Sequence, residues 1–251
     1  MTLRHDTGFA MHWDDDGIVL ALRPHGETSH VVELLTRDHG RHLGLARGGR
    51  TLRGALQPGN TMHANWRGRL AEHLGNFTLE PARVRMGIIL ERADALAALR
   101  AETTLTSAVL PERDPHPELF EALSVLLDSL DHPEVWPTLL VRYELGLLEA
   151  LGFGLDLSCC AVTGARENLI YVSPNSGRAV SADGAGEYAP RLLPLPSFLG
   201  GGNEARASDI ADGLALTAHF FEQRVFAPHH KALPAARIAL KDHVGAARGV
   251  C

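Results

Sequence analysis

The spacing of apolar residues changes once along this chain, near residue 83, and that change constrains the fold more than any other feature. Before it, short β-prone runs alternate with turn signals such as Asp38-His39-Gly40-Arg41. Five short strands within about 70 residues predict a small closed or half-closed barrel, since a lone sheet of this size would leave its edges open. The predicted strands are Gly17–Leu22, His30–Thr36, Arg41–Ala46, Thr61–Arg67 and Ala71–Glu80.

After residue 83 the apolar residues recur at helical spacing. The leucines of Leu119–Leu130 define one predicted amphipathic helix, and Thr138–Leu151 defines another that ends at Gly152. Asp209–Phe226 is predicted as a further helix, with Ser208 as its N-cap. The second part of the chain is therefore expected to be a helical bundle.

These patterns predict an α+β protein with three parts. Residues 1–80 are expected to form a five-stranded barrel, and residues 81–156 and 188–251 the helical bundle. Residues 157–187 interrupt the bundle without a helical period and contain the turn signal Pro174-Asn175-Ser176-Gly177. They are expected to form a small inserted subdomain.

Composition excludes several classes of protein. Apolar residues make up 45% of the 251 residues and charged residues 22%, which is too apolar for intrinsic disorder. No apolar run approaches the roughly 20 residues that a membrane helix needs, and residues 1–17 lack the apolar core of a secretory signal. The three cysteines suit a reducing cytoplasm rather than a disulfide scaffold.

Charge is distributed unevenly, and the distribution points to a polyanionic partner. The net charge is −6, yet residues 37–69 hold seven arginines against Asp38 alone, whereas residues 86–156 hold four arginines against thirteen acids. Arginine binds phosphates through paired N–H donors, so the first segment is predicted to bind the nucleic-acid backbone. Its arginines are Arg37, Arg41, Arg47, Arg50, Arg53, Arg67 and Arg69.

Two features of this segment bear on how nucleic acid would be held. In Arg47-Gly48-Gly49-Arg50 the glycines let the backbone lie close to a ligand while the guanidinium groups reach out. Trp66 falls in a predicted strand and is a candidate for stacking on a base. The alternative is a solvated arginine-rich surface with Trp66 and Phe77 inside the barrel core.

No enzyme signature accompanies this segment. The chain has no phosphate-binding P-loop, no G-x-G-x-x-G after a strand, no G-x-S-x-G and no H-E-x-x-H. The fourteen histidines are scattered, and the adjacent Cys159 and Cys160 lack the C-x₂₋₄-C spacing of a zinc site. No catalytic residue and no metal ligand are therefore predicted. Two alternatives stay open: a metal-dependent enzyme that uses His and Cys ligands, and a protein adaptor that binds no DNA.

Four blocks of residues match, in order and spacing, the motifs of one known family. Arg23–Ser29 resembles the family's R-x-x-x-E-T-S block, and Gly40-Arg41 with Arg47–Arg50 resembles its G-R and K-G-A-R elements. Arg53–Pro58 is similar to its G-A-L-Q-P, and Arg142–Gly154 to its R-F-E-L-x-L-L-x-x-x-G-[YF]. On these motifs the chain is identified as a member of the family of the bacterial recombination mediator RecO.

The resemblance implies an N-terminal oligonucleotide-binding (OB) fold, a helical domain and a small insertion that binds zinc in many members. It implies a cytoplasmic, nucleoid-associated protein that is not an enzyme. Such a protein binds single- and double-stranded DNA without sequence specificity and anneals complementary strands. Its implied partners are RecR and the acidic C-terminal tail of single-strand-binding protein (SSB). With them it helps to load the recombinase RecA onto SSB-coated DNA.

The family contacts the SSB tail through a basic, apolar pocket of its helical domain. Arg142 is a candidate for that contact, because it is a lone cation on an apolar helix; the alternative is a salt bridge within the bundle, with Glu144 or a neighbour. Lys231, Leu233 and Arg237 loosely represent the family's basic K-x-L-x-S-R element. Lys231 and Arg237 are therefore the other candidate partner-binding residues.

The zinc positions of the family are altered in this chain. They fall on Cys160 and Thr163 and, at the closing end, near Ser181 and Gly184. A hydroxyl group or a glycine cannot replace a thiolate as a zinc ligand. The insertion is therefore expected to be a degenerate zinc finger that folds without metal, and no cofactor is predicted.

Overall fold

The structure is a computed structural model that divides into two compact units. The first unit comprises residues 1–87 and 110–121, and the second comprises residues 88–109 and 122–251. Among the described residues, no helix is long and apolar enough to cross a membrane. The described residues are 11–47, 54–70, 72–200 and 207–244.

Five strands build the first unit. They are β1 (Met11–His25), β2 (Ser29–Thr36), β3 (Gly40–Arg47), β4 (Thr61–Gly68) and β5 (Asn76–Arg83). The strands close into a barrel in the order β1-β2-β3-β5-β4, with β3 and β5 parallel and the other pairs antiparallel. This order is that of an OB fold, and it confirms the predicted α+β class with an N-terminal barrel. β5 begins later than predicted, because the residues before Asn76 belong to the turn that follows β4.

β1 is longer than predicted because it serves two partners. Its first half pairs with β4 and its second half with β2. A register shift between Val19 and Ala21 lets the strand bend from one partner to the other. The sequence pattern placed the start of the strand at Gly17, because three successive aspartates, Asp14–Asp16, hide the alternation of buried and exposed positions. Asp15 is nevertheless buried.

Two aromatic rings, Trp66 and Phe77, fill the barrel, and glycines leave the room for them. A Cβ atom on Gly44 would lie 2.5 Å from the Phe77 ring, and one on either Gly68 or Gly75 would lie 2.4 Å from the Trp66 ring. Gly75 also has a φ of +62°, which side chains other than glycine rarely adopt. The barrel core therefore depends on glycine at these positions as much as on the aromatic residues.

Helices dominate the chain after the barrel. They are α1 (Met86–Ile89), α2 (Ala93–Val109), α3 (Pro117–Asp128), α4 (Trp136–Ala150), α5 (Ala182–Ala185), α6 (Ala207–Phe220) and α7 (Ala235–Val244). Short 3₁₀ turns span Gly186–Arg191, Ser197–Leu199 and Ala227–His229. In the second unit α2 packs against α7, and α4 packs against α6.

The predicted helix ends were partly correct. The predicted stop at Gly152 is confirmed: its φ is +82°, and its N–H donates to the Glu149 carbonyl at 2.9 Å. The predicted helix Asp209–Phe226 is α6 followed by a π-helical turn, Phe221–Phe226. Ser208 lies inside α6 and does not precede it, which corrects its assignment as the N-cap.

A small sheet forms the insertion. Its strands are β6 (Leu169–Val172), β7 (Ala179–Ser181) and β8 (Leu193–Pro194), in the order β7-β6-β8. Cys160, Val180 and Ala185 form its buried core. Because β8 pairs with β6, the sheet extends past the boundary predicted at residue 187.

Replacing Gly75 with Ala is expected to destabilise the barrel more than replacing Gly26 with Ala. The two glycines have nearly the same φ, +62° and +64°, so both substitutions carry a similar backbone cost of about 1–2 kcal/mol. Nothing lies within 4 Å of a Cβ added at Gly26, whereas one added at Gly75 meets Trp66. That overlap adds about 1–3 kcal/mol.

Urea unfolding of both variants, followed by tryptophan fluorescence, measures the difference. Equal losses in the free energy of unfolding would contradict the packing of Trp66 against Gly75.

Candidate nucleic-acid interface

Three of the predicted DNA-binding arginines, Arg47, Arg67 and Arg69, have exposed side chains. Arg67 lies opposite Asn76 across the β4–β5 pair, and Asn76 in turn pairs with Leu45, two residues before Arg47. The three arginines therefore flank the start of β5 at one edge of the barrel. Within the described residues none of them forms an ion pair, so their charge is available to a phosphate.

Two other predicted residues, Arg37 and Arg41, are paired with carboxylates of the same unit. The Arg41 guanidinium lies 2.8 Å from the Glu33 carboxylate and donates to the Leu110 carbonyl at 2.7 Å, and its side chain is 15% exposed. Arg37 lies 2.5 Å from the Glu121 carboxylate. Arg41 is therefore a structural residue that holds Leu110 against the barrel, which corrects its assignment to the DNA surface. The Arg37 side chain is 47% exposed, and an exposed ion pair is weak, so the assignment of Arg37 to the DNA surface stays a prediction.

Three predicted DNA-binding residues of this segment remain: Arg50, Arg53 and Trp66. Arg50 and Arg53 lie outside the described residues, so their role stays a prediction. Trp66 is 1% exposed, and its indole N–H donates to the Leu74 carbonyl at 3.1 Å. Trp66 is therefore a core residue, which corrects its assignment as a base-stacking residue.

The outer face of β1, β4 and β5 carries charges of both signs. Asn65 donates to the Asp14 carboxylate at 2.8 Å, and the His63 ring nitrogen lies 3.1 Å from the Asp16 carboxylate. Asp14 and Asp16 come later in β1 than His12, which is the residue opposite Arg67. Arg67 therefore lies at one end of this face, away from these acids.

A stack of rings that the sequence pattern did not reveal lies in the same unit. The Trp13 ring lies between the His39 ring, at 4.3 Å and 9° between planes, and the Trp66 ring, at 5.8 Å and 14°. His39 Nδ1 lies 2.9 Å from the Asp15 carboxylate, and the His39 side chain is 35% exposed. Trp13 was missed because β1 was predicted to start only at Gly17.

Arg113 and His42 lie beside this stack. The backbone N–H of Arg113 donates to the Arg41 carbonyl at 2.8 Å, and its side chain is 31% exposed. His42 is buried edge-on to Trp13, and neither of its ring nitrogens has a hydrogen-bond partner. Burial, together with the charges of Arg113 and His39, lowers the pKa of His42 to about 4, so this ring is neutral at pH 7.

The four positions assigned to zinc ligands by the resemblance come together in the insertion. Cys160 Sγ accepts hydrogen bonds from the Ser181 N–H at 3.2 Å, the Ser181 hydroxyl at 3.3 Å and the Thr163 N–H at 3.4 Å. A Cβ atom on Gly184 would lie 2.8 Å from the same sulfur. These residues do not fit zinc, because they offer only one thiol. In addition, the Cys160 sulfur lies so close to Gly184 that a ligating side chain at position 184 would have no room. In the described part of the chain no other group of three His, Cys, Asp or Glu side chains fits a metal.

Arg142, the first of the predicted partner-binding residues, is exposed on α4. Its guanidinium donates to the Phe198 carbonyl at 2.6 Å and lies 5.9 Å from the centre of the Phe198 ring. It forms no bridge with Glu144, which pairs with another arginine. Lys231 is also exposed, and it follows His230, whose φ is +54°.

Arg237, the third predicted partner-binding residue, is buried with Glu144. Its Nε and one terminal nitrogen both contact the Glu144 carboxylate, the latter at 2.8 Å, and the Thr217 hydroxyl donates to that carboxylate at 2.5 Å. Burial and the charge of Glu144 raise the pKa of the neighbouring Glu102 well above its usual range, which favours its protonated form. Arg237 is therefore paired inside the second unit, and it also lines the apolar groove described below, so its assignment as a partner-binding residue stays a prediction.

An apolar groove lies between the start of α4 and the helices α6 and α7. Its volume is about 360 Å³, and its walls include Trp136, Leu214, Leu233 and Ile238. Lys241 lines the groove with an exposed side chain, and the indole N–H of Trp136 is buried without a hydrogen-bond partner. Leu233 was recognised from the sequence, but the groove itself required the tertiary structure.

The free energy of unfolding is expected to rise between pH 6 and pH 9 through Cys160. Burial opposes ionisation of this thiol, but hydrogen bonds from Ser181 and Thr163 lower its pKa from 9.0 to about 6. A group with a lowered pKa stabilises the folded state fully above its unfolded pKa, and the stabilisation is lost as the pH falls through the folded value. Thermal unfolding across this range measures the rise.

The control for this prediction is the neighbouring cysteine. Cys160→Ala should abolish the rise, whereas Cys159→Ala, which removes a thiol that accepts none of these hydrogen bonds, should retain it. Identical pH profiles for the parent protein and both variants would show that Cys160 is not the titrating group.

Comparison with known proteins agrees with this architecture. Residues 11–84 match the family described as Recombination protein O N terminal, and residues 90–234 match Recombination protein O C terminal. The chain is 51% identical over 242 residues to the DNA repair protein RecO of Paracoccus denitrificans, covering 95% of this chain and 98% of that relative. It is 49% identical over 236 residues to the DNA repair protein RecO of Rhodospirillum centenum, covering 92% and 94% of the two chains. The chain belongs to the RecO family of DNA repair proteins.

Proposed function

We propose that this protein is a recombination mediator that binds single- and double-stranded DNA through its barrel without reading base sequence. The observation that carries the proposal is the edge formed by Arg47, Arg67 and Arg69, whose charges have no carboxylate partner among the described residues. Guanidinium groups hold phosphates, which every DNA sequence presents alike. Binding of this kind is strong at low salt and insensitive to sequence.

Strand annealing follows from the same chemistry. Neutralised phosphates repel each other less, so two strands held on cationic surfaces approach more readily than two free strands. Holding both strands at one protein also raises their local concentration. The protein supplies no bond-forming step in this scheme and acts as a mediator, not as an enzyme. The rival metal-dependent enzyme finds no support in the described residues, where no cluster of three metal ligands occurs.

The groove of the second unit is proposed to bind the tail of SSB. The resemblance implies a basic, apolar pocket for an acidic tail, and the groove offers Leu214, Ile238 and Lys241. Lys241 is the exposed cation of this groove, and Arg237, which also lines it, is paired with Glu144. Through this contact and through RecR, the protein is proposed to help load RecA onto SSB-coated DNA in the cytoplasm, at the nucleoid.

Reversing the charge of Arg67 and Arg69 is expected to weaken DNA binding roughly tenfold or more at low salt. If about four phosphates are neutralised, log affinity for single strands should fall against log salt with a slope of about −3, and R67E/R69E should bring that slope to about −1.5. Gel shifts or fluorescence anisotropy at several salt concentrations measure both quantities.

The matched control is R166E/R191E, which changes the net charge equally but on exposed arginines of the insertion. This variant should keep most of the affinity and slope. The proposed interface would be refuted by equal losses in the two double variants. An adaptor that binds no DNA would give no shift with the parent protein at any salt concentration.

The groove can be tested with the two lysines of the chain, Lys231 and Lys241. A peptide rich in aspartate and ending in an apolar residue with a free carboxylate should bind the parent protein. Lys241→Glu should lower the peptide affinity about fivefold or more, because it places a like charge beside the groove. Lys231→Glu, on an exposed lysine outside the groove, should not. Calorimetry measures the peptide affinities. A larger loss of affinity in Lys231→Glu than in Lys241→Glu would place the contact near Lys231 instead of in the groove.

A further inference from the structure

We propose that the ring stack of His39 and Trp13 is a stacking site for one unpaired nucleobase. This inference rests on the proposed DNA binding. It adds recognition of a base, whereas the arginine edge contacts only phosphates. The site accepts the flat face of a base, so the ligand class is single-stranded nucleic acid.

The stack runs from the barrel core to the surface. Trp66 is buried at its inner end, Trp13 lies next, and His39 lies outermost with 35% of its side chain exposed. The His39 and Trp13 planes are 9° apart with centres 4.3 Å apart, which is also how a base stacks on an aromatic side chain. We expect a base to stack on the face of His39 that does not contact Trp13, which extends the stack by one ring.

The outer ring is already held in place before any ligand arrives. The Asp15 carboxylate lies 2.9 Å from His39 Nδ1 and also accepts the backbone N–H of Asp38 at 2.8 Å. These bonds tie the β2–β3 turn to β1 and fix the plane of the imidazole ring. A base therefore stacks without the entropy cost of ordering that side chain.

The turn that carries His39 packs against residues 113 and 114. Gly40, the residue after His39, packs so closely on the backbone of Asp114 that an added Cβ would lie 2.3 Å from its carbonyl oxygen. Arg113 precedes Asp114, and its guanidinium lies 3.6 Å from the Glu112 carboxylate and donates to the Glu72 and His73 carbonyls. Its charge is therefore already paired, and the proposed site holds the base and not the phosphate.

The proposed stack discriminates between nucleic acids. Bases of a duplex are already stacked on each other and offer no free face, whereas bases of a single strand do. Stacking on one aromatic side chain changes affinity by a measurable factor without sequence preference, because every base has a planar face. The site therefore gives the barrel a preference for single strands that phosphate contacts alone do not supply.

The test compares two histidines that each lie beside a carboxylate of β1. His39 lies beside Asp15 and carries the stack, whereas His63 lies beside Asp16 and has no ring packed on it in the described residues. Affinities are measured by fluorescence anisotropy with three probes of equal length: oligo(dT), the same strand with abasic sugars, and a duplex. The abasic strand keeps the phosphates and lacks the bases.

His39→Ala should lower the affinity for oligo(dT) about fivefold or more and leave the affinities for the abasic strand and the duplex unchanged. His63→Ala should change none of the three. Trp13→Phe should retain most of the oligo(dT) affinity because it keeps a ring, whereas Trp13→Leu should lose it. A variant whose barrel is misfolded would also lose affinity for the abasic strand, which distinguishes misfolding from loss of the stacking site.

Equal oligo(dT) affinities for the parent protein, His39→Ala and Trp13→Leu would overturn the stacking site. In that case the salt-dependent binding lost in R67E/R69E would still stand, so the failure would belong to the site and not to the proposed function. A parent protein that binds none of the three probes would overturn both.

Discussion

The barrel depends on the space that three glycines leave for Trp66 and Phe77. With the rings packed against Gly44, Gly68 and Gly75, the turn after β4 can lie along β3, and β5 can enter parallel to it. That arrangement brings the end of β4 and the end of β3 to the same edge. Without this packing the exposed arginines of the two strands would not share a surface.

Carboxylates decide which arginines are available for binding. Arg41 and Arg237 are largely buried, and each is satisfied by a glutamate, Glu33 and Glu144 respectively. A buried guanidinium needs such a partner, because an unpaired charge removed from water is costly. Arg67, on an exposed strand position, has no such need. The same chemistry therefore gives arginine a structural role in one place and a binding role in another.

The insertion holds Cys160 by hydrogen bonds at the positions that the resemblance assigns to zinc ligands. Thr163 offers an N–H donor to its sulfur, and Ser181 offers an N–H and a hydroxyl donor. Such donors favour the thiolate form of a cysteine. Hydrogen bonds to one sulfur thus connect three of the four positions.

Sequence periodicity alone determined much of the architecture, because local structure follows the spacing of apolar residues. It predicted five strands, the change to helices after residue 83 and the stop at Gly152. The resemblance added the family and the OB fold. The arginine-rich composition also located the segment that carries the exposed cations of the barrel edge.

The tertiary structure decided which side chains of that segment are available. Whether Arg41 meets Glu33, whether Trp66 turns into the barrel and whether Trp13 stacks on His39 depend on strand register and on contacts between residues far apart in sequence. Local spacing carries no information on such contacts, since a one-residue change in register exchanges the inner and outer faces of a strand. The sequence thus determined the elements and the charge, and the closed barrel determined the surface.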